Sequence, residues 1–341
     1  MTNMEIEIKS QPEVLFRCFE ENKAKAQTLA DKILSNECKH VILVARGSSD
    51  NACMFFKYLL ETKVGKPLVF FHPSVITMYG SDYDFSSSVV IGVSQSGQAA
   101  DCLAVMEKAR ACGAFVASIT NFEDSPMAVN ADLHLFMNVG LEKSVAATKT
   151  MTGEMMLLSE VVAFAANESL SANDFEEAAS YVISHEDQAE AIAEELKYSD
   201  QLIVLARGNS LSAAYEIALK LQETCYINAR PYAMSDFYHG PFALASETMS
   251  FILISTDENT RKDAFEMNAK LKAVGAKTYI ITNDEELAKE GTRSILIAKS
   301  GDHCDAPSAV IAGQLLAMHL SAKKGLNPDA PRGLKKVTIT K

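Results

Sequence analysis

The stretch "VVIGVSQSGQAAD", residues 89–101, begins as one kind of structure and ends as another. Val89 to Val93 form a short apolar run rich in β-branched residues, the pattern of a strand covered on both faces. Gln98 to Asp101 open a segment with helical periodicity that runs to residue 112 and meets a C-cap signal in Gly113. Between the two sits Ser94-Gln95-Ser96-Gly97, with two hydroxyls, an amide, a glycine and no charge. Similar runs lie near 41–45, 68–72, 114–119 and 133–137, with a further helical pattern at 50–62. Strands alternating with helices imply a parallel sheet with right-handed crossovers, hence a doubly wound α/β domain.

The pattern occurs twice. "HVILVARGSSDNA" (40–52) matches "QLIVLARGNSLSA" (201–213), so Arg46 meets Arg207. At the same offset "VVIGVS" meets "SFILIS", ending at Ser255. One residue later in phase, "GAFVASITN" (113–121) meets "GAKTYIITN" (275–283). Three matches in one order mark a duplicated domain, far longer than a solenoid repeat. The expected layout is an N-terminal helical segment over 1–35, with Leu15, Phe19, Ala26, Leu29 and Ile33 as its apolar stripe. A first α/β domain over 36–168, a helical connection over 169–198, a second domain over 199–325 and a tail over 326–341 follow.

Composition fits a globular chain of two domains: 341 residues, 48% hydrophobic and 22% charged. No apolar run approaches the ~18 residues of a membrane span, and the start lacks the pattern of a signal peptide. Seven cysteines, never spaced as C-x-x-C, read as thiols of a reducing cytosol. A net charge of −12 argues against nucleic acid and anionic membrane as partners. It leaves room for a small anion held in a local cradle.

In open parallel sheets ligands bind outside the carboxyl ends of the strands. Three hydroxyl-rich turns are expected there: Arg46-Gly47-Ser48-Ser49, Ser94-Gln95-Ser96-Gly97, and "EKSVAATKT" (142–150). Helix N-termini offer free N–H groups and partial positive charge, which suits phosphate. Any one such turn alone would serve as a helix cap; three in one sheet point to a phosphorylated small molecule. The matching turn of the second half, Ser255-Thr256-Asp257-Glu258-Asn259, carries two acids and is poor phosphate chemistry.

These motifs carry a resemblance. "SQSG" after one strand, "RGSS" after an earlier one and "VAATK" after a later one resemble sugar-isomerase (SIS) domains, which are doubly wound and flavodoxin-like. The tandem pair resembles the isomerase half of glutamine–fructose-6-phosphate aminotransferases. "ALKLQETCYINARPYAMSDFYHGPFAL" (218–244) and "NPDAPRGLKKVTIT" (327–340) match that group's active-site stretch and tail. With no N-terminal glutaminase segment in view, the chain is expected to lack glutaminase activity. It resembles more closely the glutaminase-free SIS-type glucosamine-6-phosphate deaminases.

Glu216, Lys220 and Glu223 lie four and three apart, so one helix face carries all three. The resemblance implies that Glu223 is the base shuttling a proton between C1 and C2 of an open-chain sugar. It implies that Lys220 and Glu216 orient hydroxyls beside it. His239, on a Gly/Pro-punctuated loop, is implied as the acid that opens the pyranose ring, delivered to the neighbouring subunit's site. The other six histidines, and "HCD" at 303–305, read as structural; no metal or organic cofactor is expected, since in the implied chemistry the substrate's own imine is the electron sink. One tail lysine, Lys335 or Lys336, is implied to enter the sugar site; Lys336 is the preferred alignment. Ser48, Ser49, Ser94, Gln95, Ser96, Val145 and Ala147 are the implied substrate contacts. Ala99 and Ala147 stand where the family often has hydroxyls, which shifts binding onto backbone N–H groups.

The expected function is deamination of glucosamine 6-phosphate to fructose 6-phosphate by a cytosolic homodimer with shared active sites. The alternatives are a fructosamine-6-phosphate deglycase, a ketose–aldose isomerase, and a non-catalytic sugar-phosphate sensor.

Overall fold

The computed structural model describes residues 1–336; the part of the expected tail beyond Lys336 lies outside the described residues. The helices and strands run α1 (Asn3–Lys9), α2 (Gln11–Leu34), β1 (His40–Val44), α3 (Ser48–Leu59), β2 (Leu68–Phe70), α4 (Ser74–Thr77), β3 (Ser88–Ser94), α5 (Ala100–Ala111), β4 (Phe115–Thr120), α6 (Pro126–Val129), β5 (Leu133–Phe136) and α7 (Lys149–Ala166). The second series is α8 (Ala172–Ser184), α9 (Glu186–Leu196), β6 (Gln201–Ala206), α10 (Leu211–Cys225), β7 (Asn228–Ala233), α11 (Met234–Phe237), β8 (Ser250–Ser255), α12 (Arg261–Ala273), β9 (Lys277–Thr282), α13 (Glu285–Lys289), β10 (Arg293–Leu296) and α14 (Asp305–Lys323).

The two sheets have the same design. Their strand orders are β2-β1-β3-β4-β5 and β10-β9-β8-β6-β7, with every pairing parallel. Renumbered within its half, the second order is the first read backwards, so both are doubly wound with the flavodoxin-like order. The central strands are apolar without alternation because both faces are covered: Val41 to Val44 and Val89 to Ile91 are all buried. The apolar stripe expected on the N-terminal helix is buried on α2. Over the expected helical connection run two helices, α8 and α9, separated at His185, whose backbone leaves the helical region at φ −114° and ψ 30°.

The chain forms two compact units. The N-terminal unit holds Glu13–Glu142 and Lys149–Asn173 with Lys335 and Lys336. The C-terminal unit holds Asp174–Leu334 together with Met1–Pro12 and Lys143–Thr148. The segment 143–148 is held within its unit by α1 and α14. Glu7 accepts from the backbone of Lys143 and from Ser144, and Gln314 donates to the carbonyl of Thr148 at 3.2 Å. In the same unit α10 and α14 pack closely: a Cβ on Gly313 would stand 2.1 Å from Ile217, so only glycine permits this approach.

In the N-terminal unit α7 is buried on every side from Lys149 to Ala163 and still carries a carboxyl at Glu160. Neither oxygen of Glu160 meets a donor among the described residues. Burial pushes its pKa up to about 8, an effect that Lys23 opposes and Glu20 reinforces from α2. Cys18 of α2 faces the same carboxyl, and its thiol is itself pushed up, first by burial. The unfolded chain ionises Glu160 near the ordinary value of about 4.3, whereas the folded chain keeps the proton to about pH 8. In that window the folded state binds more protons, so this group lowers stability by about 1.4 kcal/mol per pH unit and adds no further loss above it. We expect the stability difference between Glu160→Gln and wild type to grow from about pH 4.5 to about pH 8 and then level. Urea unfolding across that range measures it; a difference independent of pH would mean that folded Glu160 is ionised.

Candidate functional site

The strand order of the N-terminal sheet reverses between β1 and β3, and their carboxyl ends flank the crevice where such sheets hold ligands. β1 leads through Arg46 and Gly47 into α3. The N-cap is Gly47, at φ +59°, and no side chain caps the helix. β3 leads through Ser94–Gly97 to α5, whose N-cap is Ala99, again with no side-chain cap. Two twelve-residue helices thus point N-termini without an N-cap side-chain bond at one switch point; within their first turns Asp101 Oδ1 accepts the N–H of Cys102 at 2.9 Å and the carbonyl of Gly47 accepts that of Asp50 at 3.0 Å. By contrast α1, α6 and α13 are capped by Thr2, Ser125 and Asp284.

The serine turn is a formed loop and not the first turn of a helix, because α5 starts only at Ala100. Ser94 Oγ accepts the N–H of Gly97 at 3.2 Å, and Ser96 Oγ accepts that of Gln98 at 3.3 Å. Each hydroxyl keeps its own proton to donate. Gln95 contributes its carbonyl to the N–H of Asn121. Gly97 lies at φ +63°, and a Cβ there would come within 2.2 Å of Ser125 Oγ. The turn is therefore wedged against the end of β4 and the cap of α6, and a side chain at 97 would push it out of place.

Arg46 ties the two turns together. Its Nε and Nη2 donate to Asp101 Oδ2 at 3.0 and 2.7 Å, across the switch point to the first turn of α5. Ser48 is the half-buried first residue of α3. Ser49 turns inward: it is buried, and its hydroxyl donates to Glu154 of α7 at 2.8 Å. Its hydroxyl proton is thus committed to Glu154. Val145 and Ala147 are half-buried in the segment that groups with the C-terminal unit.

The equivalent switch point of the C-terminal unit is shut. Short 3₁₀ turns precede α10 and α12, and Asp257 caps the second by accepting the N–H of Asn259 at 2.9 Å. Ser210 and Thr256 bond each other at 2.9 Å. A Cβ on Gly208 would meet Asp257 Oδ2 at 2.6 Å, so a carboxylate overhangs the turn, whereas nothing lies within 4 Å of the corresponding position on Gly47. The arginine strap persists here as Arg207 Nη1 to Asp263 Oδ2 at 2.5 Å. Asp101 and Asp263 were not singled out from the sequence, yet they stand at corresponding places in the repeat, which held the signal.

α10 supplies the titratable cluster. Lys220 lies 3.2 Å from Glu216 Oε1 and 2.6 Å from Glu223 Oε2. The side chains of Glu216 and Lys220 are 0% and 1% exposed, that of Glu223 19%. Burial alone would lower the Lys220 pKa, but the two carboxylates more than offset it and hold the group well above its ordinary value. Lys220 is thus a fixed ammonium, and Glu223 is the member that opens outward. It lines a cleft of ≈ 330 Å³ with Leu219, Gln222, Tyr226, Arg332 and Leu334. Tyr226 ends α10 in the left-handed region at φ +56°; its hydroxyl accepts the N–H of Arg332 at 2.9 Å, and the guanidinium sits 4.3 Å above its ring.

His239 does not line that cleft. It is exposed just beyond α11, its N–H bonded to the carbonyl of Asp236 at 3.0 Å, and its ring has no partner among the described residues. Of the two tail lysines, Lys335 is exposed and Lys336 is paired to Glu142 at 2.5 Å in the N-terminal unit. Glu142, Glu154, Tyr226 and Arg332 are further candidates that sequence reasoning passed over. Among the described residues no group of three or more His, Cys, Asp or Glu side chains could hold a metal ion, and no helix is long and apolar enough to cross a membrane.

Comparison with known proteins agrees with this geometry. The SIS-domain family model matches residues 34–163 and 195–324. The isomerizing glutamine–fructose-6-phosphate aminotransferase of Sulfolobus acidocaldarius is 30% identical over 321 residues, covering 92% of this chain and 52% of that protein. The chain thus spans about half the length of the curated relatives it matches. Among solved structures, the C-terminal domain of glucosamine-fructose-6-phosphate aminotransferase from Francisella tularensis superposes with TM-score 0.87 at 24% identity, over 97% of this chain and 98% of that one. A glucosamine-6-phosphate deaminase from Thermotoga maritima superposes with TM-score 0.80 at 20% identity, over 99% and 100%. Two parallel sheets of one topology, an internal repeat and two matched segments lead to one conclusion: the chain belongs to the SIS-domain family, carries two SIS domains in tandem, and is homologous to the isomerase domain of glutamine–fructose-6-phosphate aminotransferase.

Proposed function

We propose that the chain is a phosphosugar enzyme that deaminates an amino sugar phosphate, with glucosamine 6-phosphate as the leading substrate. The observation that carries this reading is the α10 cluster. A buried ammonium is clamped by two carboxylates, and one of those, Glu223, borders a cleft. A carboxylate so placed can take a proton from carbon and return it to a neighbouring carbon. In the open-chain aldose, Glu223 removes the C2 proton to give an enolamine, and reprotonation at C1 gives the C2 imine. Water adds to C2, ammonia leaves, and a ketose phosphate remains. The electrons stay within the substrate's carbonyl and imine, so the route calls on no cofactor. Glutamine hydrolysis forms no part of the proposal.

The two uncapped helix N-termini, with Ser94 and Ser96, are proposed to hold the phosphate. Lys220 and Glu216 fix Glu223 and orient sugar hydroxyls; Lys336 and His239 serve as the tail cation and the ring-opening acid. The exposure of His239, away from the Glu223 cleft, favours its delivery to a second copy of the chain in a homodimer. A cytosolic setting belongs to the same proposal. The reading is tested by incubating the protein with amino-sugar and fructosamine phosphates while following ammonia, free amino acid and ketose phosphate. Ammonia with ketose phosphate supports deamination; free amino acid would make it a deglycase; aldose–ketose exchange alone would make it a plain isomerase. Tight binding without turnover would make it a sensor.

Glu223→Gln keeps the shape but cannot take a proton, so turnover should fall by ~10²–10⁴-fold while substrate still binds. Solvent exchange of the C2 proton at the wild-type rate would remove Glu223 from this role. Ser94→Ala and Ser96→Ala should mainly raise KM, since bonds to a charged group are worth roughly 1.5–3 kcal/mol each. Equal loss of affinity for phosphate-free sugars would mark the turn as purely structural. Glu223→Gln and His239→Asn chains, mixed and reassociated, should recover about a quarter of wild-type activity, because a mixed dimer has one intact site. Mixed dimers that form without recovery would show that His239 serves its own chain.

A further inference from the structure

Glu142 precedes α7 in the N-terminal unit, and its side chain is 0% exposed. A buried carboxylate is costly unless it is paired and hydrogen-bonded. Glu142 meets both conditions through two kinds of partner. Its Oε1 accepts the N–H of Thr150 at 3.1 Å, and its Oε2 accepts the Thr150 hydroxyl at 2.7 Å, at the positive end of α7. The same Oε2 lies 2.5 Å from Lys336 Nζ, although Lys336 is 194 residues distant in sequence. Its neighbour Lys335 is exposed.

We propose that Glu142 is the positioning residue for the C-terminal tail: a buried carboxylate latch, made rigid by Thr150, that seats Lys336. Its bonds to Thr150 fix the carboxylate whether or not the tail is docked. Docking then adds one desolvated ion pair, and that pair decides where the ammonium points. Lys336 is chosen over Lys335 because one residue of the pair faces the buried carboxylate and the other faces solvent. The link to catalysis rests on the proposed role of Lys336 in the sugar site; the latch itself does not.

The test uses the full chain and two readouts. Tail docking is followed by limited trypsin cleavage after Arg332 and Lys335, quantified by mass spectrometry, in wild type, Glu142→Gln, Lys336→Ala, the double variant and Thr150→Val. Glu142→Gln and Lys336→Ala should each speed tail cleavage on the order of tenfold, as loss of one local ion pair lowers the cost of opening. The double variant should be no faster than either single one, and Thr150→Val, which keeps the carboxylate, should leave the tail more protected than Glu142→Gln does. Additive effects, or cleavage that rises equally at Lys149 within α7, would reduce Glu142 to a helix cap and overturn the proposal. The second readout is turnover of glucosamine 6-phosphate. Glu142→Gln should match Lys336→Ala in kcat, and the double variant should lose no more. If no variant and no wild-type protein turns over the sugar, the functional reading fails, while the cleavage series still decides the latch.

Discussion

A parallel strand cannot be joined to its neighbour by a hairpin; the chain must cross back over the sheet, and here it does so mostly through helices. This constraint governs the molecule. It sends every strand in the same direction, so all carboxyl ends share one edge. It also makes each helix begin near that edge, so helix N-termini gather where the strands end. At the β1/β3 boundary the chain leaves the sheet in opposite directions, and α3 and α5 begin on either side of the gap. Gly47 and Ala99 cap neither helix with a side chain. It is on these two turns that the proposal of a phosphate site rests.

The duplicated half keeps the frame and changes the turn. The strands keep their order and the Arg–Asp strap survives, yet Asp257 overhangs Gly208, and Ser210 bonds Thr256. The turn satisfies itself and presents negative charge. The second half carries its buried charges on α10, the counterpart of α3. There the cost of burying Lys220 is offset by two carboxylates on the same helix, four residues before it and three after. Close packing of α14 through Gly313 helps exclude water from that helix.

Much of this was legible from the residues alone. Uninterrupted apolar runs gave the strands to within a residue or two at most ends, since a strand covered on both faces has no alternation to lose. The offset between Arg46 and Arg207 announced the duplication. The spacing of Glu216, Lys220 and Glu223 put three charges on one helix face, because the α-helical period is a local property of the backbone.

Tertiary structure decided the rest. Spacing could not say that this face is buried, nor that only Glu223 reaches a cleft; both depend on α14 and on Arg332 and Leu334, about a hundred residues away. Nor could it say that Ser49 turns inward to Glu154 while Ser94 and Ser96 keep protons to donate. The choice between Lys335 and Lys336 was open in the sequence because neighbouring lysines are chemically alike. In the folded chain they differ: among the described residues Lys336 is paired to buried Glu142, and Lys335 is exposed. Local periodicity and turn chemistry are written in consecutive residues, and the sequence alone determined them. Burial, partner choice and the direction of each polar side chain depend on groups far apart in the chain, and only the folded structure brings those together.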